Sequence, residues 1–349
     1  MFDNILTEEK VQELRALIGS ATRIVTTCHV SPDGDAMGSL LAMTSYLRRQ
    51  GKAVTPVVPN LYPDFLRWMP GASDVLVYDK HEAEVEPVLR QADLFVCLDF
   101  NSQNRLLGME PLVRASQAPK VMIDHHLDPE DFCCWTLSCN AFSSTCELLY
   151  GVLYRLEGAD TLTHDEAVCI YTGMMTDTGC FSYNSNRSEI YHIIGSLVDK
   201  GIDKDKIYRN VFYNYSADRF RLMGYMLYVK LEVMGGCHAA IMSLTRNEQR
   251  RFSHKKGDTE GIVNMPLQIA GMRLSVLLRE DTERNVVRVS LRSVDDFPCN
   301  AMAAEYFHGG GHLNAAGGEL ECTMEQAMAQ ARKAIKAYAH LLNPQQDNK

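Results

Sequence analysis

The stretch RIVTTCHVSPDGDAMGS, residues 23–39, joins an apolar, β-rich run to an acidic loop and then to a helical pattern. The loop carries His29, Asp33 and Asp35, with glycine between the two aspartates. A strand, a short polar loop and an amphipathic helix in this order are typical of the first half of a βαβ unit. Aspartate and glycine are also ordinary turn residues. The rest of the chain therefore decides whether this loop is a plain turn or holds a cation.

The first half of the chain repeats this alternation of strand and helix. β-Rich runs occur at 52–59, 73–79, 92–100 and 120–126, and helical patterns lie between them. Strands that alternate with helices predict βαβ units and a mostly parallel sheet with flanking helices. Residues 143–180 are predicted to be mainly helical.

The second half of the chain predicts a helical connector and a smaller α/β domain. A polar-faced helical pattern fills residues 188–230, and a closing helix is predicted at 323–342. Strands are predicted between them at 235–244, 272–280 and 285–293. The sequence thus predicts an α/β fold of two domains with a cleft between them. The boundaries that we expect are 1–187 for the N-terminal domain, 188–230 for the connector and 231–345 for the C-terminal domain.

Composition and charge exclude several classes of protein. The 349 residues carry a net charge of −9, which argues against a protein that coats long nucleic acid duplexes. Residues 246–292 nevertheless hold ten Lys/Arg and six Asp/Glu, and such a local basic surface suits a small anionic ligand. With no apolar stretch long enough for a bilayer and no secretory pattern, we expect a cytoplasmic protein with no membrane partner. The eleven cysteines follow no disulfide or zinc-ribbon spacing, so buried, reduced thiols are expected.

Acidic and imidazole side chains end several of the predicted elements. In parallel α/β sheets, ligands bind beyond the carboxyl ends of the strands. Three predicted strands and one helical stretch end in such residues, which are His29, Asp33, Asp35, Asp99, Asp124, His125, His126 and Asp177. Each alone has an ordinary explanation as a turn residue, a solvated strand end or a helix cap. Their joint placement at one edge of the sheet favours a metal site.

Such a cluster needs a cation, because carboxylates in contact repel each other strongly in a partly dry site. Six side-chain ligands suffice for two divalent ions if one carboxylate bridges them and water completes the shells. Oxygen ligands with some imidazole suit Mn²⁺, with Mg²⁺, Co²⁺ or Fe²⁺ as alternatives. An EF-hand is excluded, because the twelfth position counted from Asp33 is Thr44 rather than Glu. Paired divalent ions are a recurring means of hydrolysing phosphate esters.

The motifs together resemble the DHH phosphoesterase superfamily, to which RecJ-like proteins belong. The motifs that carry the resemblance are HVSPDGDAMGS at 29–39, Asp99 after its strand, DHH at 124–126 and TDTG at 176–179. The segments VSLRS at 289–293 and GGGHLNAAGG at 309–318 are similar to the DHH-associated C-terminal domain. The arrangement is similar to the nano-RNase (oligoribonuclease) and phosphoadenosine-phosphate phosphatase branch, and it covers residues from about 20 to about 340.

The resemblance implies two divalent ions, with Mn²⁺ favoured, in the N-terminal domain, which would then be the catalytic one. The implied ligands are His29 and Asp33 for one ion, Asp35, His125 and Asp177 for the other, and Asp99 as the bridge between them. Asp124 would fix the orientation and tautomer of an imidazole. His126 would contact the scissile phosphate and assist protonation of the leaving group.

The resemblance also implies a substrate-binding role for the C-terminal domain. The residues that would hold the distal phosphate or base of the substrate are Arg292, Gly310, Gly311 and His312. The glycine-rich segment alone would be interpreted as a flexible turn, since it matches neither a Walker loop nor a Rossmann fingerprint. His308 stands where the family usually has the first of four glycines.

The implied reaction is hydrolysis of short oligonucleotides to mononucleotides, with 3′-phosphoadenosine-5′-phosphate as a further substrate that yields AMP. The expected partners are short single-stranded oligonucleotides or nucleotides rather than long duplexes, and a homodimer is possible. A phosphodiesterase of signalling that acts on cyclic or linear dinucleotides stays open, because these are two-nucleotide anions as well. A non-catalytic nucleotide sensor would have a damaged metal shell, whereas every expected ligand position is filled here.

Overall fold

The computed structural model describes residue 2 and residues 4–213, 215–255 and 257–343, with the side chain of Ala159 excepted. The chain forms two compact units that divide between residues 214 and 215. The helices of the predicted connector fall on both sides of this division. Lys256 and residues 344–345, inside the predicted C-terminal domain, lie outside the described residues.

A six-stranded parallel sheet forms the centre of the N-terminal unit. Its strands are β1 (Arg23–Cys28), β2 (Ala53–Val58), β3 (Leu76–Val77), β4 (Leu94–Leu98), β5 (Lys120–Asp124) and β6 (Trp135–Ser138). They are ordered β3-β2-β1-β4-β5-β6, and all five neighbouring pairs are parallel. This confirms the predicted parallel sheet. The strand expected at 73–79 is reduced to two residues, and β6 was not predicted.

Eight α-helices of the N-terminal unit are described around this sheet. They are α1 (Glu8–Ser20), α2 (Gly34–Arg49), α3 (Glu82–Gln91), α4 (Glu110–Ala115), α5 (Thr145–Glu157), α6 (His164–Asp177), α7 (Ser188–Asp199) and α8 (Lys204–Phe212). Helix α1 begins after Thr7, whose hydroxyl accepts a hydrogen bond from the Lys10 N–H, as expected of an N-cap.

The sheet is buried on both faces, as a parallel sheet requires. On one face Ile24 of β1 packs in a core with Leu40 of α2. On the other face Val25 packs with Leu89 of α3 and Val113 of α4. Burial of each such side chain contributes about 1.5–3 kcal/mol, so the sheet is held between two helical layers. This leaves the strand ends as the places where polar side chains can gather.

The C-terminal unit contains a second six-stranded sheet, which is mixed. Its strands are β7 (Glu232–Met234), β8 (Ala239–Leu244), β9 (Leu274–Glu280), β10 (Val287–Ser293), β11 (Gly310–His312) and β12 (Ala315–Leu320). Their order is β11-β12-β10-β9-β8-β7, and only β8 and β9 pair in parallel. The described helices are α9 (Ala217–Tyr225), α10 (Arg246–Arg251), α11 (Cys299–Phe307), α12 (Met324–Ala337) and α13 (Ala339–Leu342). The predicted α/β fold with a second α/β domain is confirmed.

None of the eleven cysteines, all of them in described parts of the chain, forms a disulfide. Five thiols are buried, five are half-buried and Cys134 is exposed. The expectation of reduced thiols agrees with this, whereas the expectation of general burial was wrong. Among the described helices, none combines the length and the apolar character that crossing a membrane requires.

Candidate metal centre

The strand order of the parallel sheet reverses between β1 and β4. Strand β1 pairs with β2 on one side and with β4 on the other. After β1 the chain adds β2 and β3 on one side of it, and then crosses to the other side to add β4. Open α/β sheets bind ligands at such a switch point, outside the carboxyl ends of the strands. His29 directly follows β1, Asp99 directly follows β4, and Asp124 is the last residue of β5. The three strand ends therefore deliver polar side chains to one edge, as predicted.

The two aspartates that the sequence placed in a loop belong to the start of helix α2. The helix begins at Gly34, so Asp33 is its N-cap and Asp35 lies in its first turn. The Oδ1 atom of Asp33 accepts hydrogen bonds of 3.0 Å from the N–H groups of Asp35 and Ala36. Capping by Asp33 explains why α2 begins within the predicted loop, because the Asp33 side chain accepts hydrogen bonds from N–H groups that have no partner within the helix. Its second oxygen, Oδ2, stays directed at His29.

Helices α2 and α6 pack closely enough to bring Asp35 near Asp177, the last residue of α6. A Cβ atom on Gly38 of α2 would lie 2.6 Å from the carbonyl oxygen of Cys169, and one on Gly173 of α6 would lie 2.9 Å from Asp35 Oδ1. Real Cβ atoms do not approach other atoms so closely, so this helix crossing depends on glycine at both positions.

One group of donor atoms surrounds the imidazole of His29. Nδ1 lies 2.7 Å from the carbonyl oxygen of Val30, which assigns the proton to Nδ1 and the lone pair to Nε2. Nε2 lies 3.4 Å from Asp99 Oδ2 and 3.8 Å from Asp33 Oδ2. His29, Asp33 and Asp99 each offer one ligand atom within 4.8 Å of the others. A single divalent ion fits such a set.

A second group of donor atoms surrounds His125. Nδ1 lies 3.3 Å from the carbonyl oxygen of Phe142. Nε2 lies 3.5 Å from Asp177 Oδ2 and 3.9 Å from Asp35 Oδ2. Asp35, His125 and Asp177 also offer ligand atoms within 4.8 Å of one another. These are the residues that the family resemblance assigned to a second ion.

Asp99 lies between the two groups. Its backbone takes the left-handed conformation, with φ of 64°, and its N–H donates to the carbonyl of Ile123. The Oδ2 atom faces His29, whereas Oδ1 lies 3.7 Å from His125 Nε2. The residue is only 2% exposed. Each carboxylate oxygen therefore faces a different group, which is the arrangement that a bridging ligand needs.

The electrostatics of the cluster favour a cation. Burial and the neighbouring carboxylates of Asp35 and Asp33 raise the pKa of Asp99 well above its usual value, and the same causes raise the pKa of Asp177. Burial lowers the pKa of His125, but the carboxylates of Asp99 and Asp35 outweigh this effect and the net pKa is raised. Carboxylates that resist ionisation because they crowd one another are relieved by a divalent cation. The oxygen and imidazole donors fit such an ion in number and type.

Asp124 and His126 form a hydrogen-bonded pair beside these groups. The carboxylate of Asp124 is fully buried, and its Oδ1 lies 2.7 Å from His126 Nδ1. Its Oδ2 accepts a 3.1 Å hydrogen bond from the backbone N–H of His126. Asp124 therefore fixes the orientation of this imidazole and directs the proton to Nδ1. His126 also lies close to the cluster, with Nδ1 3.8 Å from Asp99 Oδ1.

The N-terminal end of helix α5 contacts the cluster, and the sequence did not predict this. The N–H groups of Thr145 and Cys146 donate to the two oxygens of Asp35, at 2.6 and 2.9 Å. The hydroxyl of Thr145 donates to Asp99 Oδ1 at 2.9 Å. Ser144 three residues before Glu147 is a recognisable helix start in the sequence. That signal could have located the N-terminal end of α5, but it could not have shown which carboxylates this end contacts.

The segment 309–318 of the C-terminal unit is a β-hairpin rather than a flexible turn. Strands β11 and β12 pair antiparallel, with His312 opposite Ala315. Ala315 also lies opposite Arg292 of β10, and residues directly opposite each other share a face of the sheet. Arg292 and His312 therefore lie on the same face. The neighbouring Leu291 of β10 lies on the other face and is buried in the core with α11 and α12.

The glycines of the hairpin differ in what they require. Gly311 has φ of 139°, and a Cβ there would lie 2.5 Å from the carbonyl oxygen of Ala315. A Cβ on Gly310 would meet no atom within 4 Å, so the fold itself does not require glycine at that position. His308, in place of the usual glycine, ends α11 in the left-handed conformation with φ of 50°.

An open parallel sheet with carboxylates and imidazoles gathered at its switch point is an arrangement that suits metal-dependent hydrolysis of phosphate esters. The model of the DHH family N-terminal domain matches residues 23–174, and the model of the DHHA1 domain matches residues 239–341. The chain belongs to the DHH family. The family prediction made from the motifs is thereby confirmed.

A relative from Thermus thermophilus is named bifunctional oligoribonuclease and PAP phosphatase NrnA. It is 27% identical over 316 residues, which span 90% of this chain and 89% of the relative. The solved structure of an exopolyphosphatase-related protein from Bacteroides fragilis is 48% identical with a TM-score of 0.93, covering 96% of this chain and 98% of its own. RecJ from Thermus thermophilus, solved in complex with Mn²⁺, shares the fold at 14% identity and a TM-score of 0.56, covering 97% of this chain and 55% of its own.

Proposed function

We propose that this protein is a two-metal phosphoesterase that hydrolyses short oligoribonucleotides to mononucleotides and 3′-phosphoadenosine-5′-phosphate to AMP. The observation that carries the proposal is Asp99, whose two oxygens face two adjoining groups of metal-ligand atoms. The name of the Thermus thermophilus relative, which matches this chain over most of both lengths, supports the choice of substrates.

The proposed ligand sets follow the two groups of donor atoms. One ion would be held by His29 and Asp33, the other by Asp35, His125 and Asp177, and Asp99 would bind both. The mixture of carboxylate and imidazole supports Mn²⁺, and Mg²⁺, Co²⁺ and Fe²⁺ are the alternatives. When bound, paired divalent ions supply an activated water and neutralise negative charge that develops on the phosphoryl oxygens.

His126 is the proposed contact with the scissile phosphate and the proposed general acid. When both ring nitrogens carry protons, Nδ1 donates to the buried carboxylate of Asp124, which holds the ring in place. Nε2, the ring nitrogen that points away from Asp124, can then give its proton to the departing oxygen. As water attacks phosphorus, the phosphorus–oxygen bond to the leaving nucleoside breaks, and that oxygen takes the proton.

The C-terminal unit is proposed to bind the rest of the substrate. Arg292 and His312 share a face of the second sheet, where a guanidinium fork and an imidazole can contact a phosphate or a base. No atom lies within 4 Å of the position that a Cβ on Gly310 would take. This open space supports close approach of a ligand to the backbone. Gly311 completes the proposed set. The division of labour between residues 1–187 and 231–345 stays a proposal, as do a cytoplasmic location and a homodimer.

The test is Mn²⁺-dependent turnover on a matched panel of substrates at equal concentration. The panel contains 5′-phosphorylated RNA of two, five and twenty-four nucleotides, 3′-phosphoadenosine-5′-phosphate, cyclic di-AMP and pyrophosphate. We expect fast cleavage of the dinucleotide and of phosphoadenosine phosphate, with little action on the longest RNA. A chelator control should abolish turnover, because the ligand residues alone cannot activate water.

Other outcomes would replace the proposal with a defined alternative. Preference for the cyclic dinucleotide would assign the protein to signalling. Preference for pyrophosphate would separate it from oligonucleotide metabolism. If no substrate turns over with Mn²⁺, Mg²⁺, Co²⁺ or Fe²⁺, a nucleotide sensor becomes the better interpretation.

A further inference from the structure

The N–H groups of the first three residues of helix α5 all donate to a carboxylate or to the helix cap. These groups are among those that have no carbonyl partner within the helix. Ser144 caps the third of them, since its hydroxyl accepts from the Glu147 N–H at 3.0 Å. The other two N–H groups, of Thr145 and Cys146, both donate to Asp35. The end of α5 is therefore fixed directly against one proposed metal ligand.

The Thr145 side chain reaches a different carboxylate from its backbone. Its hydroxyl donates to Asp99 Oδ1 at 2.9 Å, while its N–H donates to Asp35 Oδ2 at 2.6 Å. All three residues are at most 2% exposed, so water does not compete for these contacts. A hydrogen bond to a buried carboxylate is both strong and directional. Thr145 thus joins the bridging position to the second ligand group.

We propose that Thr145 is a positioning residue of the metal centre, whose hydroxyl fixes the rotation of the Asp99 carboxylate. A carboxylate rotates about the bond that joins it to Cβ, and only some rotations direct one oxygen to His29 and the other to His125. With Oδ1 held by the hydroxyl, Oδ2 is the oxygen that faces His29. This inference rests on the proposed function, because it assigns Thr145 to the bridge between the two ions.

Three variants test the hydroxyl separately from the fold. Thr145→Val has nearly the same shape and lacks the donor, while Thr145→Ser keeps the donor. Thr172→Val is the matched control, because Thr172 is equally buried and its hydroxyl donates only to the carbonyl of Val168 in α6. Each full-length protein is titrated with Mn²⁺ by calorimetry, melted without metal, and assayed for kcat and KM on the RNA dinucleotide.

We expect Thr145→Val to bind Mn²⁺ about 10- to 100-fold more weakly and to lose kcat by a similar factor, as when other partners that orient metal ligands are removed. KM should change by less than about threefold, since Thr145 is fully buried and removed from the surface that substrate reaches. Thr145→Ser and Thr172→Val should both keep Mn²⁺ affinity within about threefold of wild type. If Thr145→Val does not fold without metal, Thr145→Ala takes its place, since alanine is well tolerated within a first helical turn.

Two results would overturn the inference, and they are distinguishable from failure of the proposed function. Normal Mn²⁺ affinity and kcat in a folded Thr145→Val protein would overturn the role of Thr145 alone, because wild-type turnover would still support the enzyme. Equal losses in Thr145→Ser and Thr145→Val would reduce Thr145 to a structural role. A wild-type protein that neither binds Mn²⁺ nor cleaves any substrate would overturn both proposals.

Discussion

The two sheets of this chain gather polar residues in different ways. In the N-terminal unit, His29 and Asp99 lie beyond the ends of neighbouring parallel strands, so they come from connections between elements. In the C-terminal unit, Arg292 and His312 lie on the face of the sheet, and the register of β10, β12 and β11 brings them to the same row. A strand end can be recognised locally in a sequence, whereas a register depends on three strands at once.

The two units also treat carboxylates differently, half-buried Glu248 in one and buried Asp99 in the other. In the C-terminal unit, burial raises the pKa of Glu248, but hydrogen bonds from Thr245 and Lys230 outweigh it and lower the pKa to about 2. In the N-terminal unit, the pKa of Asp99 is raised by burial and by Asp35. The first carboxylate finds its positive partner within the chain. The second lies among other carboxylates and two imidazoles, and we propose that a bound metal ion balances its charge.

Asp99→Asn should give the largest effect in the N-terminal unit. It keeps the shape of the side chain and removes the charge that would bridge two ions. We expect kcat to fall about a thousandfold or more, which corresponds to about 4 kcal/mol of transition-state stabilisation. The measurement is steady-state turnover of the RNA dinucleotide with saturating Mn²⁺.

Asp93→Asn is the matched control, since Asp93 lies at the opposite end of β4 and its carboxylate accepts hydrogen bonds from the Thr22 and Arg23 N–H groups. Its kcat should stay within about twofold of wild type, because the substitution lies away from the catalytic edge. An Asp99→Asn enzyme within tenfold of wild-type kcat would remove Asp99 from the bridging position.

Arg292→Ala should give a smaller effect of a different kind in the C-terminal unit. Loss of a charged hydrogen-bond donor to substrate should raise KM about 10- to 100-fold, with a smaller change in kcat. Arg284→Ala is the control, because the Arg284 side chain is exposed and forms a bidentate ion pair with Glu319. Its KM should change by less than about twofold. If Arg284→Ala and Arg292→Ala raise KM equally, the substrate is bound by general positive charge and not by the specific pair Arg292 and His312.

The smallest effect is the pH dependence of stability without metal. The pKa values of Asp99, Asp177 and His125 are raised in the folded chain, so between pH 5 and 8 these three groups hold more protons in the folded state than in the unfolded state. Stability contributed by these groups is therefore lost as pH rises, and the melting temperature of the chelated protein should fall by about 3 °C or more. Mn²⁺ should stabilise more at pH 8 than at pH 5, because it binds deprotonated ligands.

The same experiment has an internal control in Asp99→Asn. Without metal, this variant should melt above wild type at pH 8, since it lacks one crowded charge, although it should be the less active enzyme. Glu248 should not contribute over this range, because a lowered pKa affects stability only in more acidic solution. A melting temperature that rises between pH 5 and 8 in chelated wild type would contradict the proposed crowding.

Local patterns predicted much of the fold and the polar strand ends, and they failed where the decisive contact is distant in sequence. His29, Asp99 and Asp124 were found because each ends an apolar run. The early start of α2 was missed because Asp33 is followed three residues later by Ala36, so the capping-box pattern is incomplete.

The contact of Thr145 with Asp35 spans 110 residues, and no local pattern contains it. Strand β6 was missed although its residues alternate between apolar and polar, because four residues are the shortest alternation that indicates a strand.

The parallel order of the first sheet also bears on when an ion can be taken up during synthesis. Ile24 of β1 pairs with Leu94 of β4, so His29 meets Asp99 only after the chain has passed through two further strands and their helices. Asp177, at the end of α6, arrives later still. Contacts between residues so far apart in sequence form late in folding. We therefore expect the complete ligand set to form only once all of these elements have been synthesised, so that full metal affinity marks the completion of the fold.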